Sequence, residues 1–231
     1  MELSGFLRCG LKEWRVISQV ELRDRPVFIC DYPKSGTSLL WNLLDGHPQL
    51  VVYPEETSFF RRYLNEGARL DIKSQLVLAD KHLVHFFEWN QYKPLPHQAG
   101  FPDRDYSDIP FAQVVDSMRE RAFGKGSRHP GNVLSAAVLA FGDVTSQTSA
   151  GTLRWVEKTP YNEFIAVQVI TWWPEVLCIH IVRGPRDNYV SYYRKHKSWT
   201  GEFFSNNWTR SINAGFINQE RFSPHIYRKG I

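Results

Sequence analysis

The stretch Pro26-Val27-Phe28-Ile29-Cys30-Asp31-Tyr32-Pro33-Lys34-Ser35-Gly36-Thr37-Ser38-Leu39-Leu40 decides how this chain is read. Residues 26–32 form a short, nearly continuous apolar and β-prone run, the pattern of a strand buried on both faces. Pro33 to Thr37 are turn formers, and Ser38 to Leu44 return to helical character before Gly46 and Pro48 end it. Such a turn, placed between a buried strand and a helix N-terminus, directs backbone N–H groups and the positive end of the helix dipole at one point. That point suits a phosphate or a sulfate. Lys34 adds a full charge beside Ser35, Gly36 lets the backbone approach closely, and Thr37 and Ser38 carry hydroxyls that can donate to the same group. A capped helix start beside an exposed lysine has the same local pattern.

A second segment follows the same plan. Val176 to Val182 reads as a buried strand, Arg183-Gly184-Pro185-Arg186 as a turn, and Asp187 to about Lys197 as a helix. Leu153 to Glu157 is a third strand leading into Lys158-Thr159-Pro160, with a crossover helix expected over 161–172. A short apolar run, Leu50 to Tyr53, precedes helical patterns near 59–69, 73–89, 108–123 and 132–141. Strands alternating with helices predict an α/β fold of three layers, α/β/α, around a central parallel sheet. The length, 231 residues, fits a single domain over 1–231. Asn90 to Pro110 contains four prolines and reads as a surface loop or lid, and 90–130 as the acceptor side of the domain.

Composition narrows the function classes. Hydrophobic residues at 42%, charged residues at 23% and aromatics at 14% describe a globular chain rich in rings, which excludes disordered, collagenous and coiled-coil classes. A net charge of +4 is far below that of a chain built to lie on a nucleic-acid backbone, so no nucleic-acid partner is expected. Cys9, Cys30 and Cys178 are too widely spaced for a disulfide framework or a CxxC metal site, and the last two lie in apolar runs as core thiols. No apolar stretch approaches the roughly 20 residues of a membrane helix, and the N-terminus lacks a signal-peptide pattern, so a cytoplasmic protein without membrane contact is expected.

The first loop does not match GxxxxGK[ST], because Lys34 precedes Ser-Gly-Thr and the leading glycine is absent. A magnesium-nucleotide site would also want an acidic residue at a neighbouring strand end, where Arg183 and Lys158 stand instead. The histidines, among them His82, His85, His97 and His129, show no metal-ligand spacing with acidic companions, so no metal is expected.

The strand, PKSGTSLL and helix resemble the 5′-phosphosulfate loop of sulfotransferases that use 3′-phosphoadenosine 5′-phosphosulfate (PAPS) and release 3′-phosphoadenosine 5′-phosphate (PAP). The segment IVRGPRDNYVSYY resembles the 3′-phosphate motif of that family, with Arg183 and Ser191 at the family's spacing. The terminal Tyr227-Arg228-Lys229-Gly230-Ile231 looks like the start of the RKGxxGDW segment that closes over the 3′-phosphate, and stops before its Gly-Asp-Trp. The resemblance implies PAPS as donor, held by Lys34, Ser35, Gly36, Thr37, Ser38, Arg183, Ser191, Arg228, Lys229 and Gly230. It also carries a departure: members with a histidine base place it just after a Lys-Thr pair, and here Pro160 follows Lys158-Thr159.

Members acting on carbohydrate or tyrosine acceptors use a glutamate after the second strand, in patterns like KEVHFF or GEET. Tyr53-Pro54-Glu55-Glu56-Thr57-Ser58-Phe59-Phe60 resembles both, with Glu56 in the better alignment and Glu55 beside it. In the same subfamilies a lysine beside the transferred group sits in a segment that Glu157-Lys158-Thr159-Pro160 resembles. The resemblance thus implies a catalytic set of Lys34, Glu56 and Lys158, with a hydroxyl or amine acceptor. On the residues alone, Glu56 also fits a surface carboxylate near a helix start and Lys158 a solvated strand-end lysine. Two other readings stay beside this one: a non-catalytic PAP- or nucleotide-binding protein, and a metal-dependent nucleotide kinase. A small-molecule or carbohydrate acceptor is expected. The aromatic group at 86–106 is the stretch best suited to stack on it, and the basic run Tyr193-Arg194-Lys195-His196-Lys197 either extends the positive field or ends a helix in solvent.

Overall fold

In the computed structural model the first apolar run is β1 (Pro26–Asp31), the middle strand of a five-stranded sheet. The structure describes residues 18–63, 67, 69–91, 106, 108–123, 129–223 and 226–230, and the side chains of 19–20, 82–91 and 226–230 lie outside that description. Strands β2 (Leu50–Val52), β3 (Arg154–Lys158), β4 (Leu177–Val182) and β5 (Ile226–Gly230) join β1 in the order β2-β3-β1-β4-β5. Every pairing is parallel, with Ile29 opposite Lys158 on β3 and Asp31 opposite Ile181 on β4. The C-terminal ends of β1, β3 and β4 therefore share one edge, where open parallel sheets carry their ligand sites.

Both faces are covered, which is why all six residues of β1 are buried and why its apolar run does not alternate. On one face α2 (Thr37–Leu44) sets Trp41 among Val27, Ile29, Val52, Val156 and Ile181. The Trp41 indole N–H donates to the Tyr53 carbonyl at 2.8 Å, tying α2 to the segment after β2. The other face holds the larger core under α6 (Asn132–Val144), where Phe28 meets the rings of Phe60, Trp155 and Trp173 at 5.4–5.9 Å. Each such fully buried ring stabilises the fold by about 1.5–3 kcal/mol relative to exposure.

The remaining helices are α1 (Gln19–Arg23), α3 (Phe59–Arg62), α4 (Ile72–Gln91), α5 (Phe111–Phe123), α7 (Ala166–Trp172), α8 (Pro185–Tyr193) and α9 (Gly201–Phe222). Several helix boundaries differ from the sequence expectation. The helix after β4 begins at Pro185, which suits the first helical position because its missing N–H has no partner there. It closes at Tyr193 rather than Lys197, since the Lys195 and His196 amides both turn back to the Tyr192 carbonyl. The crossover expected over 161–172 starts as a 3-10 turn at Asn162–Ile165, where Glu163 is drawn inside to accept the Ser211 hydroxyl at 2.5 Å. The α-helix expected over 59–69 covers Phe59–Arg62, with 64–66 and 68 outside the described residues. The proline-bearing stretch at 90–110 and the aromatic group at 86–106 fall almost wholly outside the described side chains, as does Cys9.

Helix α9 has no clear sequence signal, and its packing shows why it is hard to read. Its buried positions are Phe204, Ser211, Ile212 and Gly215, so two of its four core contacts are made by small residues. A Cβ on Gly215 would stand 2.0 Å from His180 Nδ1 on β4, so only glycine lets the helix lie this close to the sheet. Beneath that contact is a cavity of about 10 Å³ bordered by Cys30, Cys178, Glu163 and Asn218, large enough for a single water. Cys30 and Cys178 are buried free thiols in the core, as expected.

Candidate active site

The loop between β1 and α2 takes its shape from two left-handed residues, Lys34 with φ 72° and Gly36 with φ 102°. Lys34 carries that conformation against the usual preference of a side-chain-bearing residue, while Gly36 adopts it freely. Gly36 is also the N-cap of α2 and no side chain caps that helix; the Leu39 and Leu40 amides turn back to the Gly36 carbonyl, which leaves those of Thr37 and Ser38 to an incoming acceptor. The loop hydroxyls are used inside. Ser35, fully buried, donates to the Tyr32 carbonyl at 2.6 Å and accepts from Asn188 Nδ2 at 3.0 Å. Thr37 donates to Asp31 Oδ2 at 2.9 Å, and Ser38 is exposed. What this loop presents to an anion is thus backbone N–H groups, the Ser38 hydroxyl and Lys34.

Asp31 is fully buried at the end of β1, and its Oδ1 has no hydrogen-bond partner among the described residues. Burial raises its carboxyl to about 7, against the opposing pulls of the Thr37 hydroxyl and Lys158. The Lys34 ammonium is pushed the other way: burial, then the like charge of Lys195, lower its pKa.

The segment after β2 is clamped to the end of β3. Glu157 is buried and accepts from Thr57 Oγ1 at 2.7 Å, from Asn162 Nδ2 at 2.9 Å and from the Thr159 hydroxyl. The Ser58 amide donates to Thr159 Oγ1 at 3.2 Å. Between these anchors lies Glu56, whose Oε1 accepts from Lys158 Nζ at 2.7 Å. The ammonium is the buried partner, with 8% of its side chain exposed, and the carboxylate the open one, with 43%. Glu55, the neighbouring alternative, is half-buried. Alternation along β3 explains the division of labour: Glu157 points to the face that holds Thr57, and Lys158 to the opposite face, toward Glu56.

Arg183 lies at the end of β4 and its Nη1 donates to the Lys34 carbonyl at 3.1 Å, so the two strand-loop-helix segments meet over the anion loop. Ser191 is half-buried on α8, and Arg228, Lys229 and Gly230 lie in β5, paired through their backbone with His180, Ile181 and Val182. Lys34 and Glu56 border one cleft of about 430 Å³, a volume typical of small-molecule sites, along with Thr159, Tyr161 and Tyr192.

Three residues the motifs do not mark emerge from this geometry: Asn188, which braces Ser35; Glu157, which fixes the segment bearing Glu56; and Tyr161, held at φ 72° on the cleft wall. The Gly-Pro turn and a helical polar residue one turn later mark Asn188 in retrospect, whereas Glu157 and Tyr161 carry no local signal. Among the described residues, no group of three or more His, Cys, Asp or Glu side chains is placed to hold a metal, and no helix is long and apolar enough to cross a membrane.

A family model described as the sulfotransferase family matches residues 26–227. No curated protein matches the chain. Among solved structures it is similar to the sulfotransferase domain of the Synechococcus PCC 7002 olefin synthase, at 16% identity and TM-score 0.48, over 95% of this chain and 70% of that one. It is also similar to sulfotransferase STF9 from Mycobacterium avium, at 14% identity and TM-score 0.43, over 92% of this chain and 59% of that one.

Proposed function

The chain belongs to the sulfotransferase family, and from that premise we propose that it moves a sulfuryl group from PAPS to a hydroxyl or amine acceptor with Glu56 as general base. The observation that carries this reading is the Lys158–Glu56 pair, 2.7 Å apart, with Glu56 opening on the same cleft as Lys34.

The residues present fit an anionic donor. The uncapped start of α2, Gly36 in its left-handed conformation and the cation Lys34 converge where a phosphosulfate would lie, and Arg183 is tied to the same loop through the Lys34 carbonyl. PAPS supplies a sulfuryl group already bonded to a good leaving oxygen. Loop amides and Ser38 hold the 5′ end, while Arg183 and Ser191 meet the 3′-phosphate, with Arg228, Lys229 and Gly230 beside them. Glu56 takes the proton of the acceptor as its oxygen or nitrogen bonds to sulfur, and the bridging S–O bond breaks toward PAP. Lys34 and Lys158 balance the charge that builds on the transferring group and on the departing oxygen, and the cleft supplies orientation. Lys158 also steadies the Glu56 carboxylate before an acceptor arrives.

Glu56→Gln keeps the shape of the side chain and removes the base, so kcat is expected to fall by roughly 100-fold or more while PAP affinity stays within about twofold. Single-turnover kinetics beside calorimetric PAP titration read both quantities. An active Glu56→Gln enzyme overturns the base assignment, and absent PAP binding overturns the donor assignment.

A further inference from the structure

The walls of the cleft carry more cations than the proposed donor uses. Its lining includes one acid, Glu56, and that carboxylate is already engaged by Lys158. Lys34 is committed to the donor in the reading above. Arg61, from α3, and Lys195, just beyond α8, remain on the lining, both exposed and neither in an ion pair among the described residues. Lys34 and Lys195 come close enough to repel, although they belong to different elements. Like charges lining one cleft lower the stability of the empty site and favour an anion within it.

The rest of the lining mixes the polar side chains of Ser58, Thr159, Asn162 and His196 with an aromatic surface. Tyr161 and Phe164 stack at 6.3 Å with 25° between their planes, and Phe164 remains 48% exposed, a large ring left open to the cleft. Arg210 stands over its ring at 5.9 Å, adding a further positive side chain nearby. Tyr192 closes the same wall and stacks on Trp199 at 4.5 Å, which keeps it from swinging away.

A ring surface that shares its cleft with unpaired cations and a carboxylate recognises a particular chemistry. We propose that the acceptor is a ring-bearing hydroxyl compound that also carries an acidic group, its ring against Tyr161 and Phe164 and its acid between Arg61 and Lys195. This rests on the sulfuryl-transfer reading and narrows its acceptor. The shared chemistry, a ring with a hydroxyl and an acid, occurs in phenolic acids and in sugar acids, and the two are separable by experiment.

The test is calorimetric titration of the PAP-loaded enzyme with 4-hydroxyphenylacetate against its methyl ester, and with the methyl glycoside of glucuronic acid against that of glucose. Two partly exposed ion pairs predict that the acid of one pair binds roughly 10-fold tighter than its neutral counterpart. The pair showing the preference names the ring. In the double variant Arg61→Gln, Lys195→Gln the preference collapses toward one. Because both side chains are exposed, the variant retains its core. Neutral compounds binding as well as the acids, or none of the four binding while PAP does, overturns the acceptor class and leaves sulfuryl transfer standing. Failure of PAP itself to bind overturns both readings.

Discussion

The two strand-loop-helix segments share a plan and carry it out by different means. In residues 26–44 the loop bends through left-handed Lys34 and Gly36, its helix starts uncapped, and the Ser35 and Thr37 hydroxyls turn inward onto Tyr32 and Asp31. In residues 177–193 Gly184 keeps an ordinary φ of −50°, Pro185 opens the helix, and two side chains do the reaching: Arg183 to the Lys34 carbonyl and Asn188 to Ser35. The first segment offers backbone donors, and the second holds them in shape while bringing a charge. In the proposed donor site this division separates shape from charge, so damage to one half should read differently from damage to the other.

The largest expected effect is on the charge-bearing arm. Arg183→Ala should weaken PAP binding by about 2 to 4 kcal/mol, the order for truncating one side of a partly buried charge pair. Calorimetry reads it, and an unchanged affinity would erase the contrast between the two segments. Asn188→Ala strikes the bracing arm: it removes a fully buried donor to Ser35 and should lower stability by about 1–2 kcal/mol in urea unfolding, with a smaller loss of PAP affinity than Arg183→Ala. The reverse ranking would make Asn188 the ligand-facing arm.

A pH-dependent effect concerns Asp31, at the junction of the two segments. Its folded carboxyl is raised to about 7, so between its ordinary range near pH 4 and pH 7 the unfolded chain has lost a proton that the folded chain keeps. Stability contributed by this group is therefore fullest in acid and declines as pH rises, by at most about 1.4 kcal/mol per pH unit. Glu163, raised to about 8 by burial, acts with the same sign and extends the decline. Urea unfolding at pH 5.5, 6.5 and 7.5 should show Asp31→Asn with the shallower slope, and parallel slopes would refute the assignment.

How much of this is legible from residues depends on the reach of each contact. The buried strands are readable because β1 and β4 are enclosed by layers on both faces, which turns their sequences into short apolar runs closed by Pro-Lys-Ser-Gly and Arg-Gly-Pro. Lys34, Glu56 and Lys158 follow from motif positions, and the structure brings Glu56 and Lys158 within hydrogen-bond distance across 102 residues of sequence. The hub at Glu157 is hard to see locally, since Thr159 and Asn162 follow it closely but the partner that makes it a clamp, Thr57, lies 100 residues away in sequence. Helix α9 escapes for another reason. Its sheet-facing stripe includes Ser211 and Gly215, while Phe203, Phe216 and Ile217 are exposed, so hydrophobic period and burial point in different directions.

The central place of β1 has a consequence for how the chain is made. It leaves the ribosome well before both of its sheet neighbours, since β3 at 154–158 and β4 at 177–182 lie more than 120 residues further on. At about 5–20 residues per second, β1 waits on the order of 6 to 30 s with both edges unpaired, an interval much longer than chain collapse. Its long-range pairings also predict slow folding once synthesis is complete. A holdase bound to the nascent 26–31 segment, or a slower translation rate over the same interval, would then change the yield of soluble protein while leaving the finished molecule's stability untouched.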